Sequence, residues 1–340
     1  MADLVGVNGQ REHFRVVGKP NLPGRLSRAI ASGITKYGVD YVVPDMLHAK
    51  FLRSPYANTV VRSVDTAKAR AIPGVVDIVT WEDEDIKGLG SSGGFMGPSL
   101  PFLDNFADQD GDEVAVIVVA ESEELCDEAL SALEVKWEVL PHVVDLREGR
   151  KPDAPVIRET PPAPKGGGFM MGGGGNNPPR QGNVAYSNVL DGDVEKGFRE
   201  ADHVVEFDMK TAAFCGHIPN PVGTVAWWFD DAYHGDGRSL RIEGVPWGHD
   251  QVAGMNRVAP EKVFQECMMV GGRYCDWGIR KQQLVTPMLS RRTGRPVRCI
   301  NSRYGMYDFN LCDRYIHMKV GYKSNGLITA IDDFSIADGG

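Results

Sequence analysis

Side chains able to do chemistry are thinly spread along this chain. Six cysteines, Cys126, Cys215, Cys267, Cys275, Cys299 and Cys312, include no C-x-x-C pair, so neither zinc nor an iron–sulfur cluster finds a ligand set among them. Scattered single thiols of this kind are expected as small buried side chains in a reducing compartment. The tract Lys165-Gly166-Gly167-Gly168-Phe169-Met170-Met171-Gly172-Gly173-Gly174-Gly175 would cradle a phosphate only with a strand before it and Lys-Ser/Thr after it. Both are missing. Glu261 and Glu266 have the type of a general base, but each sits in an ordinary polar segment and takes no assigned role. His217 could contact a substrate, against the simpler reading of a satisfied structural histidine. Phe214, Trp247, Tyr274 and Trp277 would wall a pocket suited to an apolar ring or an extended apolar molecule; for Trp247 a core or surface position is an equal alternative.

The elements that must position these residues fall into segments. Residues 1–37 are polar and broken by Pro20, Pro23 and several glycines, which predicts an arm packing on something larger. From residue 38 the texture becomes strand–helix–strand. Strands are expected near 46–53, 60–64, 75–80, 113–120 and 135–139, with a helix at 67–71 behind Asp65-Thr66 and another opened by Ser122 with Leu125, Ala129 and Leu133 on one face. Short links between such units describe a compact α/β domain over 38–145. Residues 146–185 are a Gly/Pro-rich linker or insertion. A second domain over 186–340 is expected to hold helices at 193–201 and 282–292, with strands at 204–211, 224–229, 240–245, 297–300 and 316–322. The chain ends at Gly339-Gly340 directly after an apparent strand, which predicts a sheet completed by another chain.

Bulk properties narrow the partners. A length of 340 residues allows two or three domains with buried cores, and a formal net charge of -9 without a dense Lys/Arg block argues against nucleic acid. The longest apolar run, Val114 to Ala120, is far short of the roughly 20 residues that span a bilayer. The start Met1-Ala2-Asp3-Leu4 lacks a basic region followed by an apolar core, so a cytoplasmic address is the expectation.

Four separated blocks resemble the molybdenum hydroxylases, the family of xanthine dehydrogenase and aldehyde oxidase. They are Asp45-Met46-Leu47-His48-Ala49-Lys50 with Leu52-Arg53-Ser54-Pro55-Tyr56-Ala57 and Ile72-Pro73-Gly74-Val75-Val76; Gly111-Asp112-Glu113-Val114 onward with Glu134-Val135-Lys136-Trp137; Gly192-Asp193-Val194-Glu195 with His217-Ile218-Pro219-Asn220-Pro221; and Val270-Gly271-Gly272-Arg273-Tyr274-Cys275 with Gly294-Arg295-Pro296-Val297. The resemblance implies an α+β / α/β architecture, an α/β hammerhead followed by the beginning of a molybdenum-cofactor-binding domain. It also implies a molybdenum–pyranopterin cofactor, as molybdopterin or its cytosine dinucleotide form. Water then supplies an oxygen to an electron-poor carbon, and electrons pass through iron–sulfur clusters to FAD in partner subunits. The metal takes no obligatory protein ligands in that family, which accounts for the missing ligand cluster.

By the same resemblance, Gly271, Gly272, Arg273, Tyr274 and Cys275 form the cofactor turn, where a backbone without Cβ approaches an anionic group. Tyr274 and Cys275 stand where the family has Phe and Gly. The place of the family's cofactor-contacting glutamine is taken by Trp247 and Gly248, with Gln251 out of step. At the purine-recognising glutamate stands Gly278, and near the corresponding arginine stand Leu311 and, displaced, Arg314. The expected substrate pocket is therefore non-purine and built from Trp247, Tyr274, Trp277, His217, Phe214 and Arg314. The general base of the family lies further along than residue 340 and is expected in a partner chain carrying the second molybdenum domain, beside an iron–sulfur subunit and a flavin subunit. Two other readings stand next to this oxidoreductase subunit: a molybdenum-dependent hydratase/dehydrogenase of cyclic ketones or alcohols, and a non-catalytic assembly subunit.

Overall fold

The computed structural model describes residues 26–87, 102–158, 182–184, 192–212, 214–215, 221, 223–230, 237–244, 248–267, 269, 281–305, 310–311 and 313–337. In chain order these carry α1 (Ser27–Ala31), β1 (Leu47–Arg53), β2 (Thr59–Asp65), α2 (Ala67–Arg70), β3 (Val75–Thr80), β4 (Phe106–Ala107), β5 (Glu113–Ala120), α3 (Glu123–Ser131), β6 (Glu134–Val139) and α4 (Leu146–Gly149). There follow α5 (Val194–Glu200), β7 (His203–Thr211), β8 (Phe214–Cys215), β9 (Gly223–Asp230), β10 (Arg238–Gly244), α6 (His249–Met255), β11 (Val263–Cys267), α7 (Lys281–Thr293), β12 (Val297–Ile300), β13 (Asn310–Leu311), β14 (Arg314–Tyr322) and β15 (Ile328–Ala337). None of the described helices is long and apolar enough to cross a membrane.

Local chemistry sets most of these boundaries. Ser122 accepts a hydrogen bond from the Leu125 amide and so caps α3; Asp193 does the same for α5 through the Lys196 amide. Just ahead of α2 the Asp65 carboxylate accepts from the Ala67 amide. β5 reads as one unbroken apolar run because both of its faces are covered. Ile117 and Val119 join the core that includes Leu284, Val285 and Leu289 of α7, while Val116, Val118 and Ala120 join the one with Ala69 of α2 and Cys126 and Ala129 of α3. Each such Val or Ile gains roughly 1.5–3 kcal/mol from burial.

The main sheet has seven strands in the order β11-β10-β9-β12-β1-β5-β3. It draws β1, β3 and β5 from the first expected domain and β9 to β12 from the second. They meet where β1 pairs with β12 in parallel, Leu47 opposite Val297. A three-stranded sheet, β15-β14-β7, packs α5 against it, and another, β4-β2-β6, completes the first half. In the 146–185 segment, expected to be a linker, the described flanks are fastened down. Asn183 donates to the carbonyls of Gly149 and Pro155 and accepts from the Ile157 amide, and Arg158 is paired with Asp104. The glycine tract 165–175 lies outside the described residues.

Candidate functional site

One end of the seven-stranded sheet gathers the exits to the segments singled out above. β10 and β11 are parallel, with Gly244 opposite Cys267, so both deliver their C-terminal ends to this edge. Antiparallel β9 begins there at Gly223, which faces Ile300, the last residue of β12. The chain leaves Gly244 toward Trp247 and leaves Cys267 toward the Gly271–Gly272 turn, and it reaches Gly223 from His217. In open sheets with parallel strands, ligands bind outside these carboxyl ends.

Glycine is required at this edge by close approach. A Cβ on Gly223 would come within 2.5 Å of Ile300 Cγ1, and one on Gly244 would sit 3.0 Å from Thr224 Oγ1 and 3.4 Å from the Gly223 carbonyl oxygen. The segment 268–280 is held at both of its ends. Met269 forms an isolated parallel bridge with Tyr37. At the far end α7 begins on the same sheet edge, because Gln282 Nε2 donates to Glu113 Oε1 at 2.5 Å and Lys281 Nζ donates to the Glu113 carbonyl oxygen at 3.0 Å. Glu113 also receives Arg53 Nη2 at 2.9 Å, and the same guanidinium nitrogen donates to Asn301 Oδ1 at 2.5 Å. Buried carboxylates are costly unless paired in this way.

A second charged group lies on β10 near the same edge. Glu243, 3 % exposed, takes Arg241 Nε at 2.7 Å, and Arg241 Nη2 reaches Glu266 on β11 at 2.6 Å. Tyr41 hydrogen-bonds Glu243. Burial, then the negative charge of Glu243, pushes the Tyr41 hydroxyl above its ordinary pKa, so it stays a donor at neutral pH.

The expected site residues are placed as follows. Phe214 opens β8, whose backbone pairs with Leu311 of β13, and Arg314 starts β14, exposed and opposite Thr211 and Ala337. Gly248 has a left-handed backbone (φ 75°) at the start of α6, and the neighbouring His249 donates from Nε2 to the carbonyl of Val263, the first residue of β11. That sets Gly248 beside the start of β11 rather than beside Cys267 at its end. Trp247, His217, Gly271, Gly272, Arg273, Tyr274, Cys275 and Trp277 lie outside the described residues. Sequence reasoning passed over Gly223, Gly244 and the Arg53–Glu113–Gln282–Asn301 cluster. The glycines were readable as strand ends, but no periodicity links Glu113 to a partner 169 positions away.

Comparison with known proteins settles the frame in which this edge belongs. A family model described as the aldehyde oxidase and xanthine dehydrogenase a/b hammerhead domain matches residues 32–141, and one described as the molybdopterin cofactor-binding domain matches residues 177–340. The chain belongs to the molybdenum hydroxylase family. It is similar to the probable hypoxanthine oxidase XdhD of Escherichia coli O157:H7, at 30 % identity over 94 % of this chain and 36 % of that protein. It also matches the nicotinate dehydrogenase large molybdopterin subunit of Eubacterium barkeri, at 26 % identity over 91 % of this chain and 67 % of that subunit. In fold it is similar to the crystal structure of quinoline 2-oxidoreductase from Pseudomonas putida 86, with a TM-score of 0.73 and 22 % identity over 92 % of this chain and 38 % of that one. The chain therefore spans little more than a third of the hypoxanthine oxidase relative.

The molybdopterin-binding match covers β9 to β12, four of the strands that meet this sheet edge. An anionic pterin needs backbone N–H groups and room for close approach. Gly223 and Gly244 let the strand ends pack closely on one another, since a Cβ on either would meet Ile300 or Thr224, so such groups would come from the segments that leave these strands. The hammerhead half contributes Arg53 and Glu113 to the same edge, so the two matched domains form it jointly.

Proposed function

We propose that this chain supplies the hammerhead and first cofactor-binding domain of a molybdenum-dependent oxidoreductase that hydroxylates or oxidises a non-purine organic molecule with water. The observation that carries this reading is the convergence of the Gly244, Cys267 and Gly223 strand ends on one edge. The segments leaving them hold the glycines and aromatics of the family's site. When bound, the molybdenum–pyranopterin supplies Lewis acidity and accepts two electrons. Gly271 and Gly272 would present amides to its anionic groups, with Arg273, Tyr274 and Cys275 completing the turn and Trp247 following β10. Trp247, Tyr274, Trp277 and Phe214 wall the substrate's apolar face, with His217 and Arg314 at its polar margin. Gly278 in place of an acid leaves a purine without its partner, and an unpaired polar edge in a site weakens binding sharply. The nicotinate and quinoline relatives act on other nitrogen heterocycles by their names. The general base, the second molybdenum domain, and the iron–sulfur and FAD carriers come from outside these 340 residues.

The test is turnover by the purified complex in ¹⁸O-labelled water with an artificial electron acceptor, across aldehydes, nitrogen heteroaromatics and purines. Incorporation of ¹⁸O into a non-purine product, and none into hypoxanthine, is expected. A preference for purines overturns the substrate assignment, and a folded complex without molybdenum points to the assembly-subunit reading.

A further inference from the structure

We propose that Arg238, Arg257 and Arg291, gathered around Trp228 at the far end of the seven-stranded sheet, form a binding site for a phosphate-bearing anion. The site is separate from the edge described above. β9 runs from Gly223 at that edge to Asp230, and Arg238 pairs opposite Asp230, so it stands about 20 Å away at the usual rise of a strand. Trp228 is buried and orders two of the three groups. Its carbonyl accepts from Arg238 Nη2 at 2.9 Å, and the centroid of its ring lies 4.1 Å from Arg291 Cζ. The ring is itself fixed, since its Nε1 donates to the Pro287 carbonyl at 2.8 Å. Arg291 Nη2 donates to the Asn256 carbonyl at 2.7 Å, and Arg257 is the next residue. Burial, then the positive charges of Arg238 and Arg257, hold the Arg291 guanidinium below its ordinary pKa range.

Charge balance points to a ligand. Elsewhere the partly buried guanidinium groups are met by carboxylates: Arg292 by Asp77, Asp83 and Asp85, and Arg53 by Glu113. Around Trp228 the described residues set one carboxylate against three guanidinium groups. It is Asp230, 98 % exposed and 3.9 Å from Arg238 Nε. The excess is two positive charges, on a chain whose formal net charge is -9. A single carboxylate would leave part of that excess, whereas a phosphoryl dianion neutralises it, and guanidinium forks match phosphate oxygens two at a time.

Arg257 adds an independent sign. α6 ends with the Arg257 amide donating to the Gly254 carbonyl and the Val258 amide to the Ala253 carbonyl, both at 3.1 Å. In that helix ending the left-handed position is usually glycine. Arg257 occupies it with φ 53°, against the steric preference of a residue with a Cβ, and its side chain has no hydrogen bond or ion pair among the described residues. Helix C-termini favour cations, which accounts for Arg257 or Arg291 singly. It does not account for a strained arginine set beside two others.

The test is isothermal titration of sodium pyrophosphate into the purified complex containing this chain, in magnesium-free buffer at constant ionic strength, beside titrations with ADP and a hexaglutamate peptide. Pyrophosphate is expected to bind. Arg257→Gly removes one fork and relieves the left-handed backbone. Its affinity should fall on the order of tenfold, the scale of one lost charge-assisted hydrogen bond, while its unfolding midpoint rises. Arg291→Met keeps a stem over Trp228 without the charge and should weaken binding by a similar factor. No pyrophosphate binding by wild type overturns the proposal, as does wild-type affinity in Arg257→Gly. Should Arg291→Met not accumulate, Arg257→Gly decides, being the variant expected to gain stability. Tighter binding of hexaglutamate than of pyrophosphate overturns the phosphate assignment in favour of an acidic protein segment. ADP binding more tightly than pyrophosphate, and weakened by Arg257→Gly, makes a nucleotide the source; equal affinities make it a free diphosphate, and either supports the site.

Discussion

Arg53 and Glu113 face each other across a bulge. Between the pairs Phe51–Ile117 and Arg53–Glu113, β1 advances two residues while β5 advances four. Ala115, in the middle of the bulge, has φ 58°, a left-handed conformation that costs a non-glycine residue roughly 1–2 kcal/mol. Its peptide groups are satisfied, the amide donating to the Asp104 carbonyl and its carbonyl accepting from the Trp81 amide. Bulges re-aim side chains beside functional sites, and this one brings the Glu113 carboxylate to the sheet edge.

A β-branched side chain should not be tolerated there. Ala115→Val adds bulk to a fully buried position and stiffens a residue already in a sparse region. A loss of about 2–4 kcal/mol is expected from overpacking and backbone strain together, read by urea denaturation. An unchanged midpoint would mean that the bulge is not held as described.

Gly197 in α5 carries a different kind of constraint. A Cβ there would lie 2.3 Å from the Thr329 carbonyl oxygen and 2.8 Å from Ala330 Cβ, so α5 rests directly on the backbone of β15. Gly197→Ala should cost about 1–3 kcal/mol by forcing the two apart. Hydrogen exchange should quicken in β14 and β15 while β5 stays protected; uniform protection would contradict the contact.

Much of this fold was legible in the sequence because its elements obey local rules. Val114 to Ala120 could only be a strand covered on both faces, and Ser122 and Asp193 mark helix starts by the oxygen they offer to an amide. The short α6 and the edge strand β11 carried no such mark. Seven residues with two buried positions, Val252 and Ala253, give too little period, and Val263–Cys267 has no clean alternation. The parallel pairing of β1 with β12 was equally hidden, since it joins residues 250 positions apart. The same limit applies to the site. Glycines and aromatics were visible as types, whereas the Glu113 cluster exists only through pairings that no local pattern records.

Asp108 should make stability depend on pH. Burial, then the neighbouring Asp112 carboxylate, raises it to about 6 from an ordinary 3.8, against an opposing pull from Arg158. Between those values the folded state holds a proton that the unfolded chain has released, so this group's contribution to stability falls as pH rises from about 4 to about 6. Its side chain is 41 % exposed, and solvent screening reduces the effect. Asp108→Asn should raise the unfolding midpoint relative to wild type more at pH 8 than at pH 4.5. Equal differences at both pH values would show that Asp108 titrates normally.

Thiol reactivity should divide by burial. Burial pushes Cys126 up to about 12 and Cys299 well above its ordinary value, while Cys267 is exposed at the end of β11. Because the thiolate is the reactive form, iodoacetamide at pH 8 should modify Cys267 in the folded chain and reach Cys126 and Cys299 only in denaturant. Mass spectrometry locates the labels. Rapid labelling of Cys126 in the folded chain would contradict the packing of α3 on β5.

If the sheet edge shared by the two domains serves a molybdenum–pyranopterin, the molybdenum and pterin content of the purified complex must respond to Gly272→Val. Both are expected in equimolar amount with this chain in the wild type. A sharp loss is expected in the variant, whose β-branched side chain would enter the zone of backbone approach, with the hammerhead core still folded. A folded wild-type complex devoid of both, or a variant that binds them as wild type does, would contradict that role.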